Sequence, residues 1–286
     1  MRLKALILTL AWPVFAMAET TYWQQEVNYK LNVTLAKDLR TIIGAIEIEY
    51  INNSPDSLDR LYLKAFPNAI RKGSYADQKQ RKMNDYSFAA LKPEQEGSLK
   101  ISEIQKSRAN YIKLEQDNTI YKVVLFESLK PGDTLNLSFE FKTILPSPHN
   151  LRMGLEKNTT KAAYWYPQVC VYDRKMGWVN SQYINWGETY GDFGKFDVVI
   201  TAPEDQVVAA TGILVNEAEV LPDSLKKLLH LSSFIKPKNE WPKFQFDSTK
   251  TRTWHYVAEN VNDFAFTCSN DFCLDSDTIN GVEVVA

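Results

Sequence analysis

Hydrophobic and polar residues alternate along many short segments of the chain. Val27, Tyr29, Leu31, Val33 and Leu35 are separated by polar residues, so one face of this segment is apolar. A period of two is typical of a β-strand that is buried on one side. The same pattern predicts strands at 46–50, 61–65, 111–115, 121–125, 135–141, 196–201, 207–212, 253–257, 264–267 and 282–285.

Turn residues separate these strands and leave little room for helix. The turn at 129–133 has Pro131 at its second position and Gly132 at its third, which predicts type II geometry. Many short alternating strands joined by such turns indicate an all-β chain. We therefore predict an antiparallel, saddle-shaped β-sandwich with short helical insertions.

Three segments break the alternation. Residues 68–97 and 146–160 are polar and are predicted to be loops, the first with a short helix inside it. Residues 221–231, LPDSLKKLLHL, have the best helical pattern, and Asp223 or Ser224 is the expected N-cap. These are the helical insertions of the predicted sandwich.

Large aromatic residues are concentrated between residues 163 and 203. Trp165, Trp178 and Trp186 lie there among tyrosines and phenylalanines. Each such ring buries a large apolar area only where another surface packs on it. The simpler interpretation is a sandwich core with its corner loops. The alternative is that part of the stretch lines a ligand-binding face.

The composition is that of an ordinary globular protein. The chain has 286 residues, 44% hydrophobic and 24% charged, which allows one large all-β domain or two small ones and argues against disorder. The formal net charge of −2 gives no reason to expect binding to nucleic acid. No segment after the first 18 residues is long and apolar enough to predict a transmembrane helix.

The first 18 residues have the features of a secretory signal peptide. Arg2 and Lys4 precede an apolar run at 5–15, and 16–18 read Ala-Met-Ala, a typical cleavage site. Cleavage before Glu19 would leave a mature protein of residues 19–286. We therefore expect export to the periplasm or the extracellular space.

The cysteine content indicates that disulfides are not what holds the fold together. Cys170, Cys268 and Cys273 are the only three. In an oxidising compartment, one disulfide and one free thiol are possible. The sequence leaves the pairing open.

No motif in the chain predicts catalysis or metal binding. His149, His230 and His255 lack the three-to-five-residue spacing of helical zinc ligands, and His255 is expected to be structural. There is no Gly-x-Ser-x-Gly turn and no glycine-rich phosphate loop. We predict no catalytic residues and no metal ligands in this chain.

Several ordered segments resemble one known domain. They are YWYPQVCVYDRKMGW at 164–178, GDFGKFDVVITAP at 191–203 and VVAATG at 207–212, flanked by matching stretches at 22–69 and 253–266. Together they resemble the amino-terminal domain of the aminopeptidase N-type zinc metallopeptidases. This gluzincin family also contains the leukotriene hydrolases.

The resemblance implies a non-catalytic role. The family's catalytic domain carries Gly-x-Met-Glu-Asn and His-Glu-x-x-His, and neither motif is in this sequence. Residues 19–286 would then be the amino-terminal β domain, which caps the active-site cleft. The implied partners are a catalytic domain of the same polypeptide, following residue 286, and a peptide substrate. Zinc would belong to that catalytic domain, and this chain alone would be inactive.

Other functions remain open at this stage. The chain could instead be a stand-alone secreted β-sandwich whose aromatic loops bind a glycan or a protein. A self-sufficient hydrolase is supported by no motif.

The resemblance also implies a residue that binds the substrate's free amino group. In the family, a Glu or Gln does so from the loop before a strand that ends in aromatic-Pro. Here that strand would be 163–167, and the candidates are Glu156 and Asn158 before it and Gln168 after it. We favour Glu156 because it alone is anionic, and a carboxylate forms the stronger hydrogen bond with an ammonium group.

Overall fold

The structure is a computed structural model. It describes residues 22–83, 88–105, 113–147, 152–184, 187–230, 232, 235, 247, 249–273, 276–280 and 282–285. The expected signal peptide at 1–18 and His149 lie outside the described residues.

Nineteen strands and three short α-helices are described. The strands are β1 (Glu26–Leu35), β2 (Thr41–Ile51), β3 (Leu58–Lys64), β4 (Ser98–Gln105), β5 (Lys113–Asp117), β6 (Ile120–Leu129), β7 (Thr134–Ile144), β8 (Met153–Glu156), β9 (Thr159–Ala162), β10 (Gln168–Val169), β11 (Tyr172–Asp173), β12 (Gly177–Trp178), β13 (Gly194–Pro203), β14 (Val207–Ala210), β15 (Ile213–Leu214), β16 (Thr251–Val261), β17 (Phe266–Ser269), β18 (Ser276–Ile279) and β19 (Val282–Val285). The helices are α1 (Tyr75–Lys82), α2 (Glu217–Val220) and α3 (Asp223–Leu229), with 3₁₀ turns at Phe66–Ala69, Phe88–Ala90 and Pro93–Gln95.

The strands form one large sheet and several small ones. The large sheet has the order β15-β16-β13-β1-β2-β7-β4, and two four-stranded sheets have the orders β10-β3-β6-β5 and β14-β17-β9-β8. The pairs β11–β12 and β18–β19 are separate. Strands account for 48% of residues and helices for 13%, which confirms the all-β class with short helices.

One strand pair departs from the antiparallel pattern. β1 runs parallel to β13, with Tyr29 opposite Phe196, while β2 pairs antiparallel on the other side of β1. At the start of β13, the backbone of Gly194 lies so close to β1 that only glycine fits: a Cβ atom there would lie 1.9 Å from the carbonyl oxygen of Val27. The adjacent Lys195 N–H donates to Oδ1 of Asn28 at 2.9 Å. This parallel pair is an exception within the predicted antiparallel architecture.

The core lies against one face of the large sheet. The alternating apolar residues of β1 are buried, as the sequence pattern predicts, and so are their counterparts on β2, β7 and β13. Trp165, Trp254, Tyr166 and Phe66 are among the largest fully buried side chains. Burying one large apolar side chain contributes on the order of 1.5–3 kcal/mol.

The turn and helix predictions have mixed outcomes. The type II turn is confirmed, because Gly132 has φ 82° and the Asp133 N–H donates to the Lys130 carbonyl at 3.0 Å.

Neither Asp223 nor Ser224 caps α3. The N-cap is Pro222, which makes no side-chain hydrogen bond to the helix. Its backbone is extended, so the helix begins at Asp223, directly after the proline.

Two predicted loops contain regular structure. Residues 146–160 include strand β8 and the start of β9, which form a hairpin with Glu156 opposite Thr159. The predicted loop at 68–97 contains α1, as expected, and β4 follows it without having been predicted. Among the described residues, no helix has the length and apolar character required to cross a membrane.

Candidate functional site

The first part of the aromatic stretch packs between the sheets. Trp165 Nε1 donates to the carbonyl of Phe264 at 3.0 Å, and the Thr143 hydroxyl donates to the Trp165 carbonyl at 2.7 Å. The Val169 N–H donates to the Tyr29 hydroxyl at 3.0 Å. Residues 163–171 are buried, so the core interpretation is confirmed for this part.

The predicted strand at 163–167 is wrong. Tyr164 has a left-handed backbone, with φ 57°, which breaks the extended conformation between β9 and β10. Its ring packs on Phe66 at 4.8 Å between centroids, and its hydroxyl accepts from Nη1 of Arg152 at 2.9 Å. The Tyr164 side chain is thus held by tertiary contacts, and residues 163–167 do not form a β-strand.

Glu156 and Asn158 lie on the β8–β9 hairpin. Glu156 ends β8, and its Oε2 accepts from Nζ of Lys161 on β9 at 3.1 Å. Asn158 lies in the turn and is exposed. Both residues are accessible to solvent, and an exposed ion pair of this kind contributes little to stability, about 0–1 kcal/mol.

Gln168 is in a different environment. It opens β10, is 3% exposed, and donates from Nε2 to the Asn262 carbonyl at 3.0 Å. Among the described residues, its buried Oε1 has no hydrogen-bond partner. Glu156 and Gln168 belong to different four-stranded sheets: Glu156 pairs with Lys161 across the hairpin, whereas Gln168 bonds to the Asn262 carbonyl.

A pocket of about 410 Å³ is lined in part by the residues that follow β10, the strand that Gln168 opens. Its lining residues are Tyr22, Trp23, Gln24, Val171, Tyr172, Asp173, Arg174, Lys175, Tyr190 and Asp192. Gly191, next to Asp192, lies against the Gln168 amide, because a Cβ atom there would come within 3.1 Å of Nε2. The volume is at the lower end of ordinary ligand pockets, roughly 300–1,000 Å³.

Asp192 is the unusual residue of this pocket. It is 5% exposed, and neither carboxyl oxygen has a hydrogen-bond partner among the described residues. Burial raises the pKa of Asp192 to about 7, and the like charge of Asp173 adds to the effect, while the nearby Gln24 amide opposes it. An unpaired buried carboxylate of this kind lowers stability and is common at functional sites.

Aromatic side chains form one wall of the same pocket. The rings of Trp23 and Tyr172 stack at 5.8 Å, and Tyr172 packs against Trp178 at 5.1 Å. The Tyr172 hydroxyl donates to Oδ2 of Asp56 at 2.7 Å. Tyr190 is largely exposed. We define the Asp192 pocket as the cavity lined by Trp23, Tyr172, Tyr190 and Asp192 together with the loop at 173–175.

A larger depression lies on the polar face of the large sheet, but it has fewer side chains that could bind a ligand. It measures about 590 Å³ and is shallow. Polar side chains that line it already pair with one another, as when Asn28 Nδ2 donates to Oε2 of Glu49 at 2.9 Å. Asp197, also at its edge, binds His255 at 2.8 Å. Because Asn28, Glu49 and Asp197 are already paired, the depression is a weaker candidate than the Asp192 pocket.

The described residues do not fit a zinc site. No three His, Cys, Asp or Glu side chains among them come together in a way that could hold a metal ion. His255 binds Asp197, and the ring of His230 lies 2.8 Å from the Ser232 hydroxyl.

The three cysteines are free thiols in the structure. Cys170 and Cys268 are buried, and burial raises the pKa of each to about 12. Cys273 is exposed.

Comparisons with known proteins point to one group of structures. A variant of the M1 zinc metallopeptidase from Deinococcus radiodurans, bound to a Tyr-Ser-Ala substrate, is 13% identical, with a TM-score of 0.45, and the match covers 92% of this chain and 46% of that chain. Another structure of the enzyme from that organism is 12% identical, with a TM-score of 0.44, and the match covers 90% and 44%. This chain therefore spans just under half of the length of these structures.

The sequence comparisons return no match. No protein-family model matches this chain, and neither does the sequence of any curated protein.

Sequence reasoning missed the residues that define the Asp192 pocket. Asp192 lies in the segment Gly-Asp-Phe-Gly, which reads as an ordinary turn. Trp23 precedes the first alternating strand and gives no periodic signal. Only the density of aromatic residues between 163 and 203 indicated a ligand-binding face in this part of the chain.

Proposed function

We propose that this chain is the amino-terminal β domain of an exported zinc-dependent aminopeptidase, and that it has no catalytic activity on its own. The observation that carries the proposal is the ordered set of segments at 164–178, 191–203 and 207–212, which resemble that domain in the same order along the chain. The all-β class is consistent with it. Residues 1–18 would direct export and be removed.

In this proposal the chain supplies binding and not chemistry. Zinc and the general base would belong to a catalytic domain of the same polypeptide, since the described residues here do not fit a metal site. This chain would dock on that domain, cover one side of its cleft and contact the amino terminus of a peptide substrate.

Glu156 is the proposed contact for the substrate ammonium group. It is anionic and exposed, and its ion pair with Lys161 is easily exchanged for a ligand. Asn158 would support it from the turn. Gln168 is the alternative contact, because its Oε1 is an acceptor that the described residues leave unpaired.

The gene and the purified proteins test the proposal together. We expect the reading frame to continue beyond codon 286 into a segment with Gly-x-Met-Glu-Asn and His-Glu-x-x-His. The full polypeptide should hydrolyse aminoacyl-arylamides and lose this activity with a chelator. A stop after codon 286, or a continuing frame without those motifs, would overturn the proposal.

The substrate contact has its own test in the full polypeptide. Glu156→Ala should raise the Michaelis constant for substrates with a free amino group by about tenfold or more, because a hydrogen bond to a charged group contributes on the order of 1.5–3 kcal/mol. Glu115→Ala is the matched control, since Glu115 also pairs with lysines on an exposed strand. An unchanged constant in Glu156→Ala with a raised one in Gln168→Ala would move the role to Gln168.

A stand-alone binding module is the second candidate function. The observation that favours it is the Asp192 pocket, which has aromatic walls and an unpaired buried carboxylate without any catalytic partner among the described residues. A frame that stops after codon 286, together with stable secretion of the mature chain, would favour this candidate over the aminopeptidase domain.

A further inference from the structure

The Gln24 amide lies close enough to the Asp192 carboxylate to lower its pKa, but the described part of the chain gives this carboxylate no hydrogen bond of normal geometry. Both oxygens are buried, and neither has a partner there. Burying a charged group without a partner costs several kcal/mol, so the protein tolerates a destabilising residue at this position. Asp192 is one of the residues that line the pocket, so a ligand seated there would lie next to this side chain.

We propose that the Asp192 pocket binds the guanidinium group of an arginine side chain in a peptide or protein segment. A carboxylate with two free oxygens matches the two parallel N–H donors of a guanidinium, and this bidentate pair is among the strongest hydrogen-bonded contacts in proteins. The bond geometry is more specific than that of a point-charge ammonium group.

The aromatic wall favours the same ligand. A planar guanidinium stacks on tyrosine and tryptophan rings by cation–π attraction, most strongly where water is partly excluded. Trp23, Tyr172 and Tyr190 supply such rings around Asp192. A metal ion fits less well, because the described residues do not include a third acidic, His or Cys ligand in reach. An anion would be repelled by the buried carboxylate.

The other charged residues that line the pocket are more exposed than Asp192. Oδ1 of Asp173 accepts from the backbone N–H groups of Lys175 and Met176 at 2.8 and 2.7 Å, so this carboxylate shapes the loop. Arg174 and Lys175 are exposed. Exposed charges are screened by water and salt far more than a buried one. Once it is deprotonated, the buried Asp192 carboxylate therefore dominates the attraction inside the pocket.

Calorimetric titration of the purified chain with N-acetyl-argininamide tests the proposal. Its blocked amino group removes any contribution from recognition of a free amino terminus, so the result is independent of the aminopeptidase proposal. N-acetyl-citrullinamide has nearly the same shape without the charge and serves as the matched ligand. We expect saturable binding of the first and at least about tenfold weaker binding of the second.

Variants assign the binding to Asp192. Asp192→Asn keeps the shape of the side chain and should weaken binding of N-acetyl-argininamide by about tenfold or more. Asp197→Asn removes the same charge at a half-exposed position on the large sheet, and it should leave binding unchanged. Tyr190→Ala should weaken binding a few-fold, because it removes one ring from the rim.

Four results would overturn the proposal. They are the absence of saturable binding, equal binding of the citrulline analogue, equal binding of N-acetyl-lysinamide, and unchanged binding in Asp192→Asn that circular dichroism shows to be folded. Equal binding of the citrulline analogue would point to a neutral, hydrogen-bonding ligand such as a sugar. Equal binding of the lysine analogue would point to an ammonium group.

Discussion

A single buried carboxyl group links stability to binding in this protein. The folded protein holds a proton on Asp192 up to a pKa of about 7, whereas the ordinary value is 3.8. The folded state therefore binds more protons than the unfolded state between these two pH values. It follows that the free energy of unfolding decreases as the pH rises through this window and levels off above it.

Asp192→Asn should remove this pH dependence. In the absence of ligand, we expect the variant to be more stable than the wild type at pH 8, by an amount on the order of 1–3 kcal/mol. The advantage should shrink by up to about 1.4 kcal/mol for each pH unit below pH 7, and it should be lost or reversed near pH 5, because the wild-type carboxyl group becomes neutral. Urea unfolding at pH 8 and pH 5 measures both values. Glu47→Gln, at an exposed position, is the control and should show no such difference.

The three thiols should differ sharply in reactivity. Cys273 is exposed, whereas Cys170 and Cys268 are buried and have a pKa raised to about 12. Because the thiolate is the reacting species, only Cys273 should react with a maleimide in the folded protein. Mass spectrometry should find one label under native conditions and three in denaturant. Two labels on the folded protein would contradict the burial of one of the other cysteines.

At the residue scale, sequence reasoning found the core but not the pocket. Tyr29 and Leu31 are recognisable because burial on one face of a strand imposes a period of two. Asp192 carries no such signal, since its character depends on which residues surround it in three dimensions. Its neighbours Trp23 and Tyr172 are distant in sequence. A lone Asp beside a glycine reads as a turn residue for good physical reasons.

At the element scale, the accuracy of each predicted strand depends on how regular its hydrophobic pattern is. β1 and β7 alternate over ten and eleven residues and are predicted over most of their length, whereas β2 is predicted only at 46–50. The strand predicted at 163–167 is wrong because the positive φ of Tyr164 is fixed by tertiary contacts that no local pattern records. The hairpin β8–β9 was missed because its strands are only four residues long.

Helix α1 has a cap on which its stability should depend. The Ser74 hydroxyl accepts from the Asp77 N–H at 3.0 Å and donates to the Ala69 carbonyl at 2.6 Å. The Asp77 carboxylate in turn accepts from the N–H of Gly73, the residue before the N-cap, at 2.8 Å.

Ser74→Ala should lower the free energy of unfolding by about 0.5–2 kcal/mol. The loss has two sources, the unpaired N–H at the helix start and the buried Ala69 carbonyl that loses its donor. Urea denaturation measures the change. Ser102→Ala, at a hydroxyl that makes only an exposed contact with the Glu140 carbonyl, should cost much less. Equal costs for the two variants would contradict the capping role.

At the scale of the whole molecule, the segment 163–171 joins the sheets. Through Trp165 it bonds to residues at the end of β7 and next to β17, and through Val169 it bonds to β1. The Cys170 N–H donates to the Tyr62 carbonyl on β3 at 2.8 Å. Unfolding of the large sheet or of either four-stranded sheet would therefore disturb this shared segment.

The sheets should therefore unfold together. We expect tryptophan fluorescence and far-ultraviolet circular dichroism to give the same urea midpoint, because the rings and the strands belong to one cooperative structure. The measurement is a pair of equilibrium curves on the same sample. Two separated midpoints would show that one sheet is stable without the others.

The parallel pairing of β1 with β13 has a consequence for synthesis of the chain. β1 is complete at residue 35, but its parallel partner begins only at residue 194. At about 5–20 residues per second, a ribosome takes roughly ten to thirty seconds to cover that interval. During this time one edge of β1 has no native neighbour and can pair with other nascent chains. The slowest and most aggregation-sensitive event in folding should thus be the insertion of β13, so a chaperone that binds extended segments would help most before residue 203 is made.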